Sequence, residues 1–204
     1  MAIIFLLFTL LFTLFIVKKW SVSVDNKSQG FGVPNYITLF RNYLVFLIIY
    51  LAFLNSSSFL ILIPAVSVLL MDGLDGYFAR RLKLSSEFGA RFDMESDAFF
   101  ILVLSCIVYV YYIDSFFVLL IGGMRYIYVA LSYFFDFLNN PLKERYSRKV
   151  FCVIQIMALI LPFTGFFNTL FLYNILFLSF SLLLFSFSRD AFDQFYHVTP
   201  PAQK

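Results

Sequence analysis

The chain has 204 residues, of which 62% are hydrophobic and only 13% are charged. A soluble domain is about half apolar and about a quarter charged, so this composition excludes an ordinary soluble protein and indicates that lipid surrounds much of the surface. The net charge of +3 is small, which argues against a nucleic-acid partner and favours a mild attraction to anionic lipid headgroups.

Seven apolar segments follow one another along the chain, and each is a candidate membrane-spanning helix. A spanning helix needs about 20 mostly apolar residues, and the first and sixth segments are shorter than that. The first segment has no basic start and no small-residue cleavage site, so it is predicted to be an anchor and not a cleaved signal peptide. The segments are 2–17, 36–54, 58–80, 88–112, 115–136, 150–163 and 167–188.

The basic residues of the connecting loops predict the orientation in the membrane. If all seven segments span, every loop-borne Lys and Arg falls on the same side. The positive-inside rule makes that side cytoplasmic, with the N-terminus outside and the C-terminus in the cytoplasm. These residues are Lys18, Lys19, Lys27, Arg80, Arg81, Lys83, Lys143, Arg145, Arg148, Lys149, Arg189 and Lys204.

The chain is predicted to be one all-α membrane domain with short additions. Residues 1–19 are expected to form an N-terminal transmembrane anchor helix. Residues 20–34 are polar and contain Gly and Pro, so they predict a loop. The remaining helices form the membrane bundle, and residues 191–204 are expected to be a cytoplasmic tail.

Four aspartates interrupt the apolar pattern of two neighbouring segments. Asp72 and Asp75 lie near the end of the third segment, and Asp93 and Asp97 lie near the start of the fourth. Spacings of three and four residues put each pair on one face of a helix, and a short turn over 81–88 makes the two helices antiparallel neighbours. Four carboxylates brought together repel one another, and Mg²⁺ or Mn²⁺, which favour oxygen ligands, would relieve this repulsion.

Small residues accompany the aspartates on the same faces. Gly76 and Ala79 follow the first pair, and Gly89 precedes the second, so a ligand or a second backbone can approach closely. Arg80 lies beside them, and its planar guanidinium suits a phosphate. Because no Ser–His or Cys–His pair is recognisable, the residues favour direct attack on a metal-bound substrate over a covalent intermediate.

The spacing of these residues resembles the full signature of the CDP-alcohol phosphotransferase family, and all eight fixed positions match. An upstream stretch is similar to the one that opens the first core helix in that family. The signature reads Asp72-x2-Asp75-Gly76-x2-Ala79-Arg80-x8-Gly89-x3-Asp93-x3-Asp97, and the upstream stretch reads Pro34-Asn35-x-Ile37-Thr38-x2-Arg41.

The resemblance implies a six-helix core over 35–190, usually a homodimer, with the active site open to the cytoplasm and the first segment outside that core. It implies two Mg²⁺ or Mn²⁺ ions, a CDP-linked substrate, and Asp97 as the base that accepts the proton of the acceptor alcohol. The implied metal ligands are Asp72, Asp75, Asp93 and Asp97, and the implied CDP-binding residues are Gly76, Ala79, Arg80, Gly89, Asn35 and Thr38.

The implied reaction transfers a phosphatidyl group from CDP-diacylglycerol to a polar alcohol and releases CMP. We favour glycerol 3-phosphate as the acceptor, because Arg125 lies inside the fifth segment, where an Arg is costly unless it has a role. Arg91, Arg148 and Lys149 lie near the ends of core helices and are further candidates for holding an acceptor phosphate. Arg125 has an alternative interpretation as a partner of one of the aspartates.

Other acceptors and other classes of protein stay open. Inositol or inositol phosphate, serine and choline are alternative acceptors, and a CDP-alcohol donor with a diacylglycerol acceptor is the reverse arrangement. Met94, Glu95 and Ser96 separate the last two aspartates and depart from familiar members, which leaves the subfamily open. A cation transporter would more often have broken helices or inverted repeats, and an inactive scaffold would not need all eight signature residues.

Overall fold

A computed structural model describes residues 9, 11–19, 32–82, 87–135, 138 and 146–198. Seven helices and no strand occur in this part of the chain, which confirms the all-α prediction. The helices are α1 (11–19), α2 (Val33–Phe53), α3 (Ser58–Leu82), α4 (Glu87–Tyr111), α5 (Phe116–Ser132), α6 (Tyr146–Ile160) and α7 (Thr169–Val198), with a 3-10 turn at Leu161–Thr164 after α6. The side chains of 33, 34, 74–82, 87, 146–149 and 196–198 lie outside the description.

Three of the described helices are long and apolar enough to cross a membrane. They supply the spans Asn35–Phe53, Phe88–Tyr111 and Thr169–Phe195. Shorter apolar helices account for three more of the predicted segments: Ser58–Gly73, Phe116–Ser132 and Val150–Thr164. The chain is therefore a helical membrane protein, while the full count of seven spans stays a prediction. Residues 2–8 and 10 of the first segment lie outside the described residues.

Several helix boundaries differ from the prediction by a few residues, and those of α2 and α7 are informative. Helix α2 begins at Val33, because Pro34 occupies its first turn, where the missing N–H of proline needs no partner. Gly32 precedes it with a φ of 75°, which glycine adopts at little cost. Helix α7 runs on to Val198, so residues 191–198 of the predicted cytoplasmic tail are helical. Most of the predicted loop at 20–34 lies outside the described residues.

One compact unit comprises Met1–Phe100. In it α2 packs along α3, and the described part of α1 packs against α2 and α4. The ring of Phe12 meets that of Phe46 edge-on at 5.1 Å, and Ile16 is buried against Phe92. Helix α1, which the resemblance places outside the six-helix core, is thus part of the unit that carries all four aspartates.

The second compact unit comprises Ile101–Lys204. The Phe117 ring on α5 packs against three aromatic rings on α7, with centroids 5.2 to 5.9 Å apart. Near the end of α7, Gln194 donates a hydrogen bond to the carbonyl of Leu138 (3.1 Å) and accepts one from the hydroxyl of Tyr128 on α5. These contacts hold α7 to α5 along much of its length.

Candidate active site

The aspartates lie on α3 and α4 as their spacing predicts. Asp72 and Asp75 both belong to α3, and Asp93 and Asp97 lie one helical turn apart on α4. The side chain of Asp75 is outside the described residues. Each pair therefore occupies one helix, and only tertiary packing decides whether the two helices bring their carboxylates together.

Three of the carboxylates, one on α3 and two on α4, lie close together in the structure. One oxygen from each of Asp72, Asp93 and Asp97 lies within 4.8 Å of the others; we call these three side chains the carboxylate cluster. Their side chains are 35%, 39% and 26% exposed, respectively. The cluster is therefore neither sealed in the interior nor fully solvated, and a ligand has access to it.

A buried arginine from α2 lies in the middle of this cluster. The guanidinium of Arg41 is 2.8 Å from Asp93 Oδ1 and 3.2 Å from Asp72 Oδ1, and it also donates to Asp97 Oδ1. Its side chain is only 2% exposed. Charge-assisted hydrogen bonds of this kind are about twice as strong as neutral ones, so Arg41 fixes the positions of carboxylates from two other helices.

A second set of polar contacts ties α2 to α4 beside the cluster. The amide of Asn42 donates to the hydroxyl of Ser96 (2.7 Å) and to the carbonyl of Thr38 (2.9 Å). The Ser96 hydroxyl donates in turn to the carbonyl of Phe92, one turn earlier in α4 (2.8 Å). Because Ser96 lies between the two cluster aspartates of α4, this buried pair sets the register of α4 against α2.

The contact with Asn42 also gives a structural role to the unusual stretch between the last two aspartates. Met94 and Glu95 are exposed, whereas Ser96 is buried. The departure from familiar members therefore concerns two exposed positions and one that binds α2.

The other predicted site residues are spread over several elements. Asn35 and Thr38 are buried in α2, Gly89 is partly buried in α4, and Arg91 is exposed on α4. Arg125 is partly buried in α5 and belongs to the second compact unit. The remaining predicted residues, whose side chains lie outside the described residues, are Asp75, Gly76, Ala79, Arg80, Arg148 and Lys149.

Arg41 is the site residue to which sequence reasoning assigned no role. It stands inside the second apolar segment, where a charged residue is costly. The same cost is the reason why Arg125 is predicted to have a role. The same reasoning applied to Arg41 would have found it. Pairing with an aspartate, considered for Arg125, is observed for Arg41.

The donor set suits a hard divalent cation. All three side chains offer carboxylate oxygens, the ligands that Mg²⁺ and Mn²⁺ favour. Three carboxylates and one guanidinium leave a net charge of −2 among the described groups, which attracts such an ion. The partial exposure of the carboxylates leaves room for water and a substrate phosphate.

Comparison with known proteins bears out the resemblance. No curated protein sequence matches the chain. The family model for CDP-alcohol phosphatidyltransferase matches residues 31–189, which is well over half of the chain and runs from the start of α2 into α7. The match includes every residue of the signature and Arg41. The chain belongs to the CDP-alcohol phosphatidyltransferase family, whose members are transferases of phospholipid synthesis that act on a CDP-alcohol and an alcohol acceptor.

Proposed function

We propose that this chain transfers a phosphatidyl group from CDP-diacylglycerol to a polar alcohol, with release of CMP, in phospholipid biosynthesis. The observation that carries the proposal is the meeting of Asp72, Asp93 and Asp97, with their oxygens within 4.8 Å, inside a chain that matches the family over 31–189. The acceptor that we favour is glycerol 3-phosphate.

The proposed reaction is a direct displacement at phosphorus. The acceptor oxygen forms a bond to the phosphorus that carries diacylglycerol, and the bond from that phosphorus to the bridging oxygen breaks. CMP leaves with that electron pair, and the proton of the acceptor hydroxyl passes to a base on the protein. Two Mg²⁺ or Mn²⁺ ions, when bound, supply positive charge that neutralises the diphosphate and the departing CMP.

Asp97 is the residue that we assign as the base, and the cluster aspartates with Asp75 are the ligands that we assign to the metal. Asp97 is the least exposed member of the cluster. In this structure Arg41 donates to its Oδ1; we assign that oxygen to the metal, and the other oxygen to the acceptor proton. General base catalysis typically contributes about 10²–10⁴-fold to the rate.

The remaining assignments concern the two substrates. Gly76, Ala79, Arg80 and Gly89, with Asn35 and Thr38 of α2, are proposed to line the CDP site. Arg125, Arg91, Arg148 and Lys149 are proposed to hold an acceptor phosphate. The support is chemical: small residues admit the nucleotide, and a guanidinium makes paired hydrogen bonds to phosphate oxygens.

The decisive experiment measures CMP release by the purified chain from CDP-diacylglycerol with Mn²⁺. The acceptor panel is glycerol 3-phosphate, inositol, inositol phosphate, serine and choline, and a separate arm offers a CDP-alcohol with diacylglycerol. We expect release that EDTA abolishes and that depends on one acceptor, glycerol 3-phosphate. Release with another acceptor would revise the substrate and keep the reaction.

Two further outcomes would overturn the proposal. Absence of release in every arm, together with cation flux through liposomes that contain the chain, would identify a transporter. Absence of both activities in folded protein would identify a scaffold. Parallel measurement of the unfolding midpoint shows whether the tested protein is folded.

A further inference from the structure

Arg41 lies where the metal of the proposed reaction would bind. We propose that its guanidinium is the internal counter-ion of the metal-free carboxylate cluster, and that a divalent ion must displace it in order to bind. This inference rests on the proposed function, because it concerns the metal site of that reaction.

The burial of the four groups supports the counter-ion role. The Arg41 side chain is 2% exposed, whereas its carboxylate partners are 26–39% exposed. Water therefore reaches the carboxylates but scarcely reaches the guanidinium, whose charge is compensated by Asp72, Asp93 and Asp97. Breaking a buried charge pair by removing one partner leaves uncompensated charge, so the metal-free cluster depends on Arg41 for its geometry.

The distances support the competition. Mg²⁺ lies about 2.0–2.1 Å from carboxylate oxygens. The guanidinium nitrogens lie 2.8 Å from Asp93 and 3.2 Å from Asp72. A metal ion bound to the same carboxylates would thus be a few ångströms from another positive charge, where the two repel. The measured metal affinity is then the intrinsic affinity multiplied by the fraction of molecules that Arg41 has vacated.

The charge balance explains why the counter-ion does not prevent metal entry. Three carboxylates and one guanidinium retain a charge of −2, so the metal-free cluster still attracts a divalent cation. Arg41 therefore holds the three carboxylates in place, and a metal ion can still replace it among them.

The test compares Mn²⁺ binding by the purified full-length chain and by Arg41→Gln, using electron paramagnetic resonance of free Mn²⁺ in detergent solution. We expect the variant to bind Mn²⁺ about tenfold more tightly, because the vacated fraction rises to one. We also expect its unfolding midpoint to fall in EDTA and to recover when Mn²⁺ is added. General damage to the site would weaken Mn²⁺ binding, so the direction of the change separates the two explanations.

Two companion variants sharpen the comparison. Arg41→Lys keeps a positive charge but lacks the planar fork that reaches three carboxylates. We therefore expect it to bind Mn²⁺ about threefold more tightly than the unmodified chain, and less tightly than Arg41→Gln. Ser67→Ala removes an exposed hydrogen bond within α3, to the carbonyl of Ile63, without changing charge, and we expect its Mn²⁺ affinity to stay within about twofold of the unmodified chain.

The outcomes distinguish the inference from the function on which it rests. If the unmodified chain binds no Mn²⁺, the metal site and the proposed function both fail. If it binds Mn²⁺ and Arg41→Gln binds equally or more weakly, the counter-ion role is wrong while the function stands. Should Arg41→Gln fold only with Mn²⁺ present, that result supports the role. Should it not fold at all, Arg41→Lys decides, and equal or weaker binding by that variant overturns the inference.

Discussion

A charged side chain in the apolar part of a helix needs partners, because lipid offers neither water nor counter-ions. Arg41 meets this requirement with three carboxylates, one from α3 and two from α4. Each of these contacts also holds an aspartate in place. Charges that would each be costly alone thus become tolerable together, and this charge pairing coincides with the candidate site.

The role of Asp97 as the base is tested by Asp97→Asn. This change keeps the shape of the side chain and removes its ability to accept a proton. We expect turnover at saturating Mn²⁺ to fall by about 10²–10⁴-fold, while the protein stays folded. The matched control is Glu95→Gln, because Glu95 is an exposed carboxylate two residues away on another face of α4. The measurement is CMP release per enzyme; an undiminished rate in Asp97→Asn would refute the assignment.

The acceptor assignment is tested by Arg125→Gln. If Arg125 holds the phosphate of the acceptor, the KM for glycerol 3-phosphate should rise by about 10–100-fold, since a hydrogen bond to a charged group contributes about 1.5–3 kcal/mol. The KM for CDP-diacylglycerol should hardly change. Steady-state kinetics with each substrate varied in turn provide the check. Equal increases in both constants would indicate a structural role for Arg125.

At the scale of the helices, α4 has two different tasks along its length. Its first turns carry Asp93, Ser96 and Asp97 toward α2 and α3. Its later turns pack closely on α5, where Gly122 faces Leu102 and Ser105. A side chain at Gly122 would place its Cβ 2.7 Å from the Leu102 Cα, so glycine permits this helix contact, as small residues do in membrane bundles.

This contact predicts opposite effects at two adjacent glycines of α5. Gly122→Ala should destabilise the protein by about 1–3 kcal/mol, because backbone must move to accept the methyl group. Gly123→Ala meets only the end of the Ile127 side chain, at 3.9 Å, and should be neutral or stabilising by up to about 1 kcal/mol, since Ala favours helix. Unfolding midpoints in detergent compare the two; equal effects would contradict the close approach.

The end of α7 is predicted to contribute to stability through Gln194, which is buried. Gln194→Leu removes both the bond to the Leu138 carbonyl and the bond from Tyr128, and leaves buried polar atoms without those partners. We expect a loss of about 1–3 kcal/mol, measured by denaturant or thermal unfolding. Tyr128→Phe retains the Leu138 bond and should cost less. If the two variants are equally stable, the Leu138 bond contributes little.

At the scale of the whole molecule, the surface matches a lipid environment. Large apolar side chains are exposed on every described helix, which would be unfavourable in water and is ordinary in a bilayer. Examples in chain order are Leu14, Phe53, Leu70, Val110, Phe116, Met157 and Leu170. Together with three helices of spanning length, these side chains account for the excess of apolar residues in the composition.

The predicted orientation is a property of the whole chain, and it can be tested as one. If seven segments span with the basic loops inside, a tag at the N-terminus and a tag at the C-terminus should lie on opposite sides of the membrane. Protease protection in sealed, inside-out vesicles should leave the N-terminal tag intact and remove the C-terminal one. Equal accessibility of both tags would require an even number of spans.

The sequence by itself determined the class of the protein, the order of its helices and the position of its charges. Hydrophobic composition and the period of the helix are local properties, so the segments could be located to within a few residues, and Asp93 and Asp97 could be put on one face of α4. The start of α2 carries a local signal in Pro34. The end of α7 was less predictable, because the buried Gln194 has its partners on other elements.

Only the tertiary structure decided which positive charge meets the aspartates. That Asp72 meets Asp93 and Asp97 agrees with the turn that the sequence predicts over 81–88. That Arg41 lies among them does not follow from any local pattern, since it is more than 30 residues away in sequence from the nearest of these aspartates. Ion pairs form between groups that packing brings within about 4 Å, and that distance is set by how α2 folds against its neighbours.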